Sequence, residues 1–509
     1  MPAPSEPEKF SIDEMMERLQ SPPPEDPVDA GELVVRADGS QAIRVRKRKR
    51  RTLQPHKEEL RRVRRARMIQ VSVVLVLILL VVGSAGIAVV VANSAPFREK
   101  LLRDIAWNSG ATVETEQIRI NPSSVHARRL ALSWPAGNVL RSLTLENIRA
   151  DISLSSFLGK PLHGEEMSAS EGTLNLRIPQ ADELSRNVPD IASPPPQIRY
   201  MSYVIPRAQM LLGDPAAPFI RMANSECSFI PHSLNGRPQL LFHRGDITIN
   251  GWPKLRMDRS HIEFRGTEVD IVGMRLLHET DNRGVFELSG TVYPYAADRA
   301  SILAAHLESY LLAGIAGPEM GKLFAGRIDS QANSKSHYFS FTPAADHGAL
   351  FAISFRNSLV SPFEIKRFPF LFGLSQTLGD DWFERPVFAG DVSGVLRRMG
   401  GQVTLSDLSF EQPGRMALQG TVIMAPDLKL SGNLKIGIAE AAFQSARSRL
   451  LDSMFGPPRE GFRWITLKIG GTTAAPTDNF KDLFTAAEST NKPTPSTGIP
   501  TFEELTQPK

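Results

Sequence analysis

The chain has 509 residues, 41% of them hydrophobic, and a formal net charge of +4; that length suits one large domain or two to three ordinary ones. The charge is segregated: residues 1–43 carry ten Asp/Glu against three Lys/Arg, residues 44–67 carry thirteen Lys/Arg against Glu58 and Glu59, and everything after Arg67 sums to zero. A neutral body excludes a nucleic-acid-binding domain, which needs a basic face, and Cys227, the single cysteine, excludes an intramolecular disulfide and any cysteine-based metal cluster.

Residues 1–43 are Pro- and acid-rich (SPPPEDPVD) and read as a disordered tail. Within it Ser11 and Glu14 make a capping box, and Ile12, Met15, Met16 and Leu19 a brief apolar face. Residues 44–67 form a basic juxtamembrane arm. Residues 68–92 follow, with no charged side chain from Met68 to Phe97. At 1.5 Å per residue that run spans a ~30 Å hydrocarbon layer, so a transmembrane helix is expected. It is too long, and too far from the start of the chain, for a cleaved signal peptide. Arg46, Lys47, Arg48, Lys49, Arg50, Arg51, Arg61, Arg62, Arg64, Arg65 and Arg67 crowd its N-terminal side, whereas Arg98, Lys100 and Arg103 beyond it are balanced by Glu99 and Asp104. The positive-inside rule therefore puts the N-terminus in the cytoplasm and the bulk of the chain outside.

Beyond the span the chain is written in period two, the strand signature. Leu174, Leu176 and Ile178 alternate, as do Phe286, Leu288, Gly290 and Val292, then Met416, Leu418, Gly420 and Val422. The longest run is Leu428, Leu430, Gly432, Leu434, Ile436 and Ile438. Leu143 and Leu145 are odd-numbered and Ile148, Ala150 and Ile152 even, so a turn or bulge is expected near Asn147. The pattern apolar-x-apolar-x-Gly-x-apolar recurs as FELSGTV, MALQGTV and LKLSGNL, which suggests strands where glycine permits a bend or close approach. Helices are expected at 298–312, from the stripe Ile302, Leu303, His306, Leu307, Tyr310 and Leu311, and more weakly at 370–377 and 440–455. Residues 179–197 read as a linker, and 488–509 as a disordered tail.

Chemistry is hard to find. The ten histidines make no HxH or HExxH, and no G-x-S-x-G occurs. AGPEMGKL at 316–323 fails as a phosphate loop, because Ala316 replaces the first glycine and Leu323 the Ser/Thr; it reads as a helix-ending turn. Asp380 and Asp381 in GDDW read as turn residues. The expectation is a protein that is not an enzyme and holds no cofactor or metal.

PFREKLLRDIAWNSGATVETEQIRI and the segment from Leu140 to Pro179, with VTLSDLSFEQPGRMALQGTVIMAPDLKLSGNLKIGI and ITLKIGGTTAAPTDNF, resemble the AsmA-like family of membrane-anchored envelope proteins. The resemblance spans roughly 96–180 and 390–485; the 67-residue N-terminal extension departs from the family's very short tail. It implies an AsmA-like N-terminal β module at 96–180 and an AsmA-like C-terminal β region at 346–487, and the strand pattern makes 198–345 a middle β-rich region with the helix at 298–312. It further implies a mainly β fold: an elongated, curved antiparallel sheet, groove-like, with a few helices, in the bacterial inner membrane with its bulk in the periplasm. The function implied is phospholipid transport or outer-membrane homeostasis; scaffolding of outer-membrane protein assembly by strand addition is the alternative. Alternating strands give one greasy face, and Leu428, Leu430, Leu434, Ile436, Leu418 and Val422 are the expected lining of a lipid groove. The residues alone fit a filled core equally well. Expected partners are the membrane, a phospholipid or other acyl-chain lipid and other envelope proteins, with no nucleic acid.

Overall fold

A computed structural model describes residues 32–44, 54–121, 123–152, 162–178, 198–296, 299–331, 337–342, 349–359, 361–444 and 451–490. The chain divides into two compact units, Met1–Val82 and Gly83–Lys509. In the first, residues expected to be disordered form a hairpin instead: Glu32–Val35 pairs with Gln41–Arg44. Asp38 fastens the turn by accepting hydrogen bonds from the backbone and hydroxyl of Ser40. The capping box at 11–14 lies outside the described residues.

One helix, Gln54–Ala92, carries the apolar run and continues through the second half of the basic arm. The expected start at Met68 is therefore 14 residues late. Lys and Arg are good helix formers, so nothing stops the helix where the charge begins. Within residues 60–92 the most apolar 18-residue stretch has a mean hydropathy of 3.1 and is wholly unburied. This is one apolar helix compatible with a single membrane anchor.

The second unit is mainly β, built round one large curved sheet. Its ladders follow the chain from Thr112–Glu116 through Ser124–Ser133 and Leu140–Asp151 to Phe462–Gly471 and Pro476–Asp478. The sheet is mixed rather than antiparallel as expected: Leu162–Ser168 and Glu171–Leu176 both run parallel to Ile198–Asp214. Gln239–His243 and Asp246–Ile249 are halves of one interrupted strand, each paired with Ala217–Ile230 and with Leu255–Arg265.

Interruptions like this one bend the sheet. Asn147, Asn224, Arg244 and Asp407 have positive φ of 50–56° in mid-strand or at a strand break, and the ladder slips between Met222 and Ser225, Met257 and Arg259, and Ile271 and Met274. Such bulges curl a strand about one face. At Asn147 the bulge explains the phase slip: the extra residue returns Ile148 to the side of Leu145, and both pack with Ala127 and Ala169. Gly420 and Gly432 show why glycine recurs. Each has positive φ, and a Cβ would stand 2.2 Å from the carbonyl oxygen of Asn433 or Thr421 on the facing strand.

The helix expected at 298–312 is a strand, Ser301–Glu308, in which burial alternates strictly: Ser301, Leu303, Ala305 and Leu307 are buried, and Ile302, Ala304 and His306 exposed. The sequence fits both periods there, and pairing with Asp281–Val292 and Tyr338–Phe341 decides for the strand. The expected helix at 370–377 is present as Pro369–Leu378. That at 440–455 is helical at Glu440–Gln444 and Leu451–Met454, and 445–450 lie outside the described residues. Phe480–Thr490 is helical, which shortens the expected tail; residues 491–509, and the linker at 179–197, lie outside the described residues.

Candidate lipid-binding cavity

Two interiors lie on the concave side of the sheet. Towards the C-terminal end the space is filled with protein. Short helices at Ala313–Ala316 and Pro318–Gly321, the helix Pro369–Leu378 and a small sheet of Phe324–Ala325, Phe363–Ile365 and Val387–Phe388 occupy it. Phe410 sits at its centre, with ring centroids 5.0 Å from Phe363, 5.6 Å from Phe388 and 6.2 Å from Phe324. The sequence AGPEMGKL is part of this filling: Ala316, Met320 and Leu323 have no exposed surface, and Gly317 makes the break between the short helices at φ 94°. Asp380 caps the 3-10 turn Asp381–Glu384 by accepting from the backbone of Trp382, as a turn residue would.

Towards the N-terminal end the sheet encloses a cavity of about 1190 Å³. That exceeds the roughly 300–1,000 Å³ usual for small-molecule sites. Its walls are leucine, isoleucine, methionine and phenylalanine side chains from strands between Ser124 and Glu308, joined by Phe339 and Phe341. Among the described residues Arg177 is the one charged residue of the lining. At this end polar groups are tied to each other: Arg177 donates to the carbonyls of Pro135 and Trp134, the Trp134 indole donates to the carbonyl of Ser109 at 2.9 Å, and the Tyr295 hydroxyl donates to Asn138 at 3.0 Å. Burial pushes the Tyr295 phenol up to about 12, and likewise the Cys227 thiol in the wall. Both stay neutral near pH 7, so the cavity is a mainly apolar space with a hydrogen-bonded rim that carries Arg177.

An aromatic wall separates the two interiors. Trp252 meets Phe339 and Phe351 edge-on at 5.6 Å each, and Phe286 meets Phe351 at the same distance. Phe339 lines the cavity; Trp252, Phe286 and Phe351 stand behind it. Arg398 braces the wall from an inward position of the strand Val392–Met399, only 5% exposed. Its guanidinium lies 5.4 Å from the Trp252 ring and donates to the carbonyls of Ile315, at 2.7 Å, and Gly251. Burial pushes its pKa down to about 10, which leaves it charged at neutral pH.

The groove residues expected from sequence belong to the filled interior. Leu418, Val422, Leu434 and Ile436 have no exposed surface, Leu430 is buried, and Leu428 sits at a turn with φ 67°, 39% exposed. None lines the cavity. The longest apolar alternation marks the best-filled part of the sheet, because a strand covered on its inner face by packed helices keeps every inward position apolar. Leu143, Leu145, Leu174, Leu176, Leu288 and Val292, whose alternation is equally legible, do line the cavity. Arg398 has a signal too: it breaks the inward series Val392, Gly394, Leu396 with a charge. Of the topology residues, Arg61, Arg62, Arg64, Arg65 and Arg67 are exposed on the helix that continues into the apolar run; Arg46 to Arg51 lie outside the described residues.

Comparison with protein-family models, with curated proteins and with solved structures finds no match.

Proposed function

We propose that this chain is a membrane-anchored lipid-binding protein whose cavity takes the acyl chains of a phospholipid, with an AsmA-like role in phospholipid transport or outer-membrane homeostasis. The observation that carries this reading is the large apolar cavity beneath a hydrogen-bonded rim. Each methylene moved from water into such a space contributes about 0.8 kcal/mol, so a chain of a dozen gains on the order of 10 kcal/mol before ordering costs. The basic residues before the apolar helix support an inner-membrane anchor with its N-terminus in the cytoplasm and the sheet in the periplasm. Other envelope proteins would then deliver or receive the lipid.

Native mass spectrometry of the full chain, extracted in mild detergent, tests this. Co-purified phospholipid is the expected outcome. A chain that emerges lipid-free, and takes up no fluorescent phospholipid when offered it, sinks the reading and favours recruitment of client strands at the sheet edge instead.

A further inference from the structure

Trp107 is 87% exposed, an unusual position for the largest apolar side chain. It lies on the helix Ala95–Ser109, which begins three residues after the apolar helix ends at Ala92. The Asn93 amide donates to the carbonyls of Val89 (2.8 Å) and Ile120 (2.7 Å) and accepts from the Ile120 backbone N–H (2.9 Å), which ties the last turn of the apolar helix to the start of the sheet. Ile87, Val90 and Val91 of that last turn are more than half exposed, as a lipid-facing surface would be.

The helix that follows is amphipathic in an unusual sense. Its buried position is Ile105. At 100° per residue the opposite line runs through Pro96, Lys100, Arg103 and Trp107, all exposed. Among the described residues neither Lys100 nor Arg103 has an ion-pair partner. A tryptophan one turn beyond two cations, on the outer line of a helix that follows a hydrophobic span, matches what the headgroup layer selects: an amphipathic ring at the interface and positive charge against anionic phosphate. At its far end the helix reaches the cavity, where the Ser109 carbonyl accepts from Trp134 and both residues line the wall.

We propose that Ala95–Ser109 lies in the outer headgroup layer of the anchoring membrane, with Trp107 inserted and Lys100 and Arg103 on anionic lipid phosphates, so that the rim of the cavity is held at the lipid surface. This rests on the anchoring part of the proposed function and is independent of what fills the cavity.

Site-directed spin labelling of the full chain in vesicles tests it. Cys227 is buried and its thiol is held protonated, so a single added cysteine takes the label. Trp107→Cys is compared with Leu234→Cys, at a fully exposed loop tip. In vesicles of phosphatidylcholine with phosphatidylglycerol, the label at 107 should collide several-fold more with oxygen than with a water-soluble nickel chelate, relative to the label at 234. Adding Lys100→Glu and Arg103→Glu should shift the label at 107 towards water. A label at 107 as accessible to nickel as that at 234 overturns the proposal. Flotation of the same samples keeps the two readings apart: a chain that does not float with vesicles fails as an anchored protein, whereas one that floats with a wet label at 107 refutes this inference alone.

Discussion

The strands from Ser124 to Glu308 curl round a cavity, whereas those from Leu350 to Gly471 curl round packed side chains. Both halves alternate apolar and polar residues, and both bend at bulges; the difference lies in what the connections contribute. Between Leu311 and Arg327, and again between Asn357 and Val392, the chain leaves the large sheet to place short helices and a small sheet inside the curve. Of the 26 phenylalanines, 18 lie at or beyond Phe324, so the bulk to fill that interior is supplied with it. Among the described residues the earlier connections are mostly short turns, and they add no helix or small sheet of this kind. A filled half and a hollow half on one sheet suggest a division of labour between a rigid base and a receptacle.

The sharpest way to break this comparison is to put a charge on each inner face. Leu434→Asp places a carboxylate where no surface is exposed; a buried, unpaired charge should destabilise the protein by more than about 4 kcal/mol and abolish folding. Leu174→Asp, in the cavity wall, should leave the circular-dichroism spectrum and the melting transition nearly unchanged while removing bound phospholipid. If both variants fold, the C-terminal interior is not solid.

Truncating an aromatic ring comes next in size. Phe410→Ala should cost about 3–5 kcal/mol, read from denaturant unfolding, because three neighbouring rings lose their contacts and cannot all close in. Phe264→Ala in the half-buried lining should cost about 1 kcal/mol, since that side chain already borders empty space.

This asymmetry was only half legible in the sequence. Period two identified the strands, and even the bulge at Asn147, because a half-buried sheet imposes it locally. It could not say which greasy faces would be covered, since covering depends on segments far off in the chain: Leu434 and Leu174 have the same local pattern and opposite fates. Ser301–Glu308 was lost for a related reason, as Leu303 and Leu307 satisfy either period and only the neighbouring strands decide. The density of phenylalanine after residue 320 was the available clue to the filled half. The charge at Arg398, in a series otherwise apolar, was the clue to the border.

That border gives a smaller test. Arg398→Ala leaves the buried carbonyl of Ile315 without its donor, which costs about 1–3 kcal/mol, and removes the cation from the Trp252 ring, worth about 1 kcal/mol more. The variant should be destabilised by about 2–4 kcal/mol. If the wall depends on this brace, it should also bind phospholipid with altered stoichiometry in native mass spectra. Unchanged stability would mean that the aromatic rings alone divide the two interiors.

The smallest expected effect concerns the outside of the hollow half, where polar side chains replace internal packing. Glu263 accepts from Asn235 at 2.8 Å, Gln239 at 3.1 Å and Arg237 at 3.3 Å, with His261 at 3.7 Å, and so fastens the loop that displays Leu234. Burial pushes its carboxyl up, but the hydrogen bonds from Asn235, Arg237 and Gln239 and the charge of His261 outweigh this and hold it below the ordinary value of 4.5. A carboxyl that binds its proton less tightly when folded adds stability that is complete above that value and lost as pH falls through the lower, folded one. The hollow half should therefore loosen in acid below about pH 4.5, with hydrogen exchange in 231–239 rising before that in 416–438, whose pairing rests on buried apolar contacts. Glu263→Gln should raise exchange in the loop at neutral pH and flatten its acid dependence; an acid dependence left intact would assign the effect to other carboxylates and remove Glu263 from the comparison.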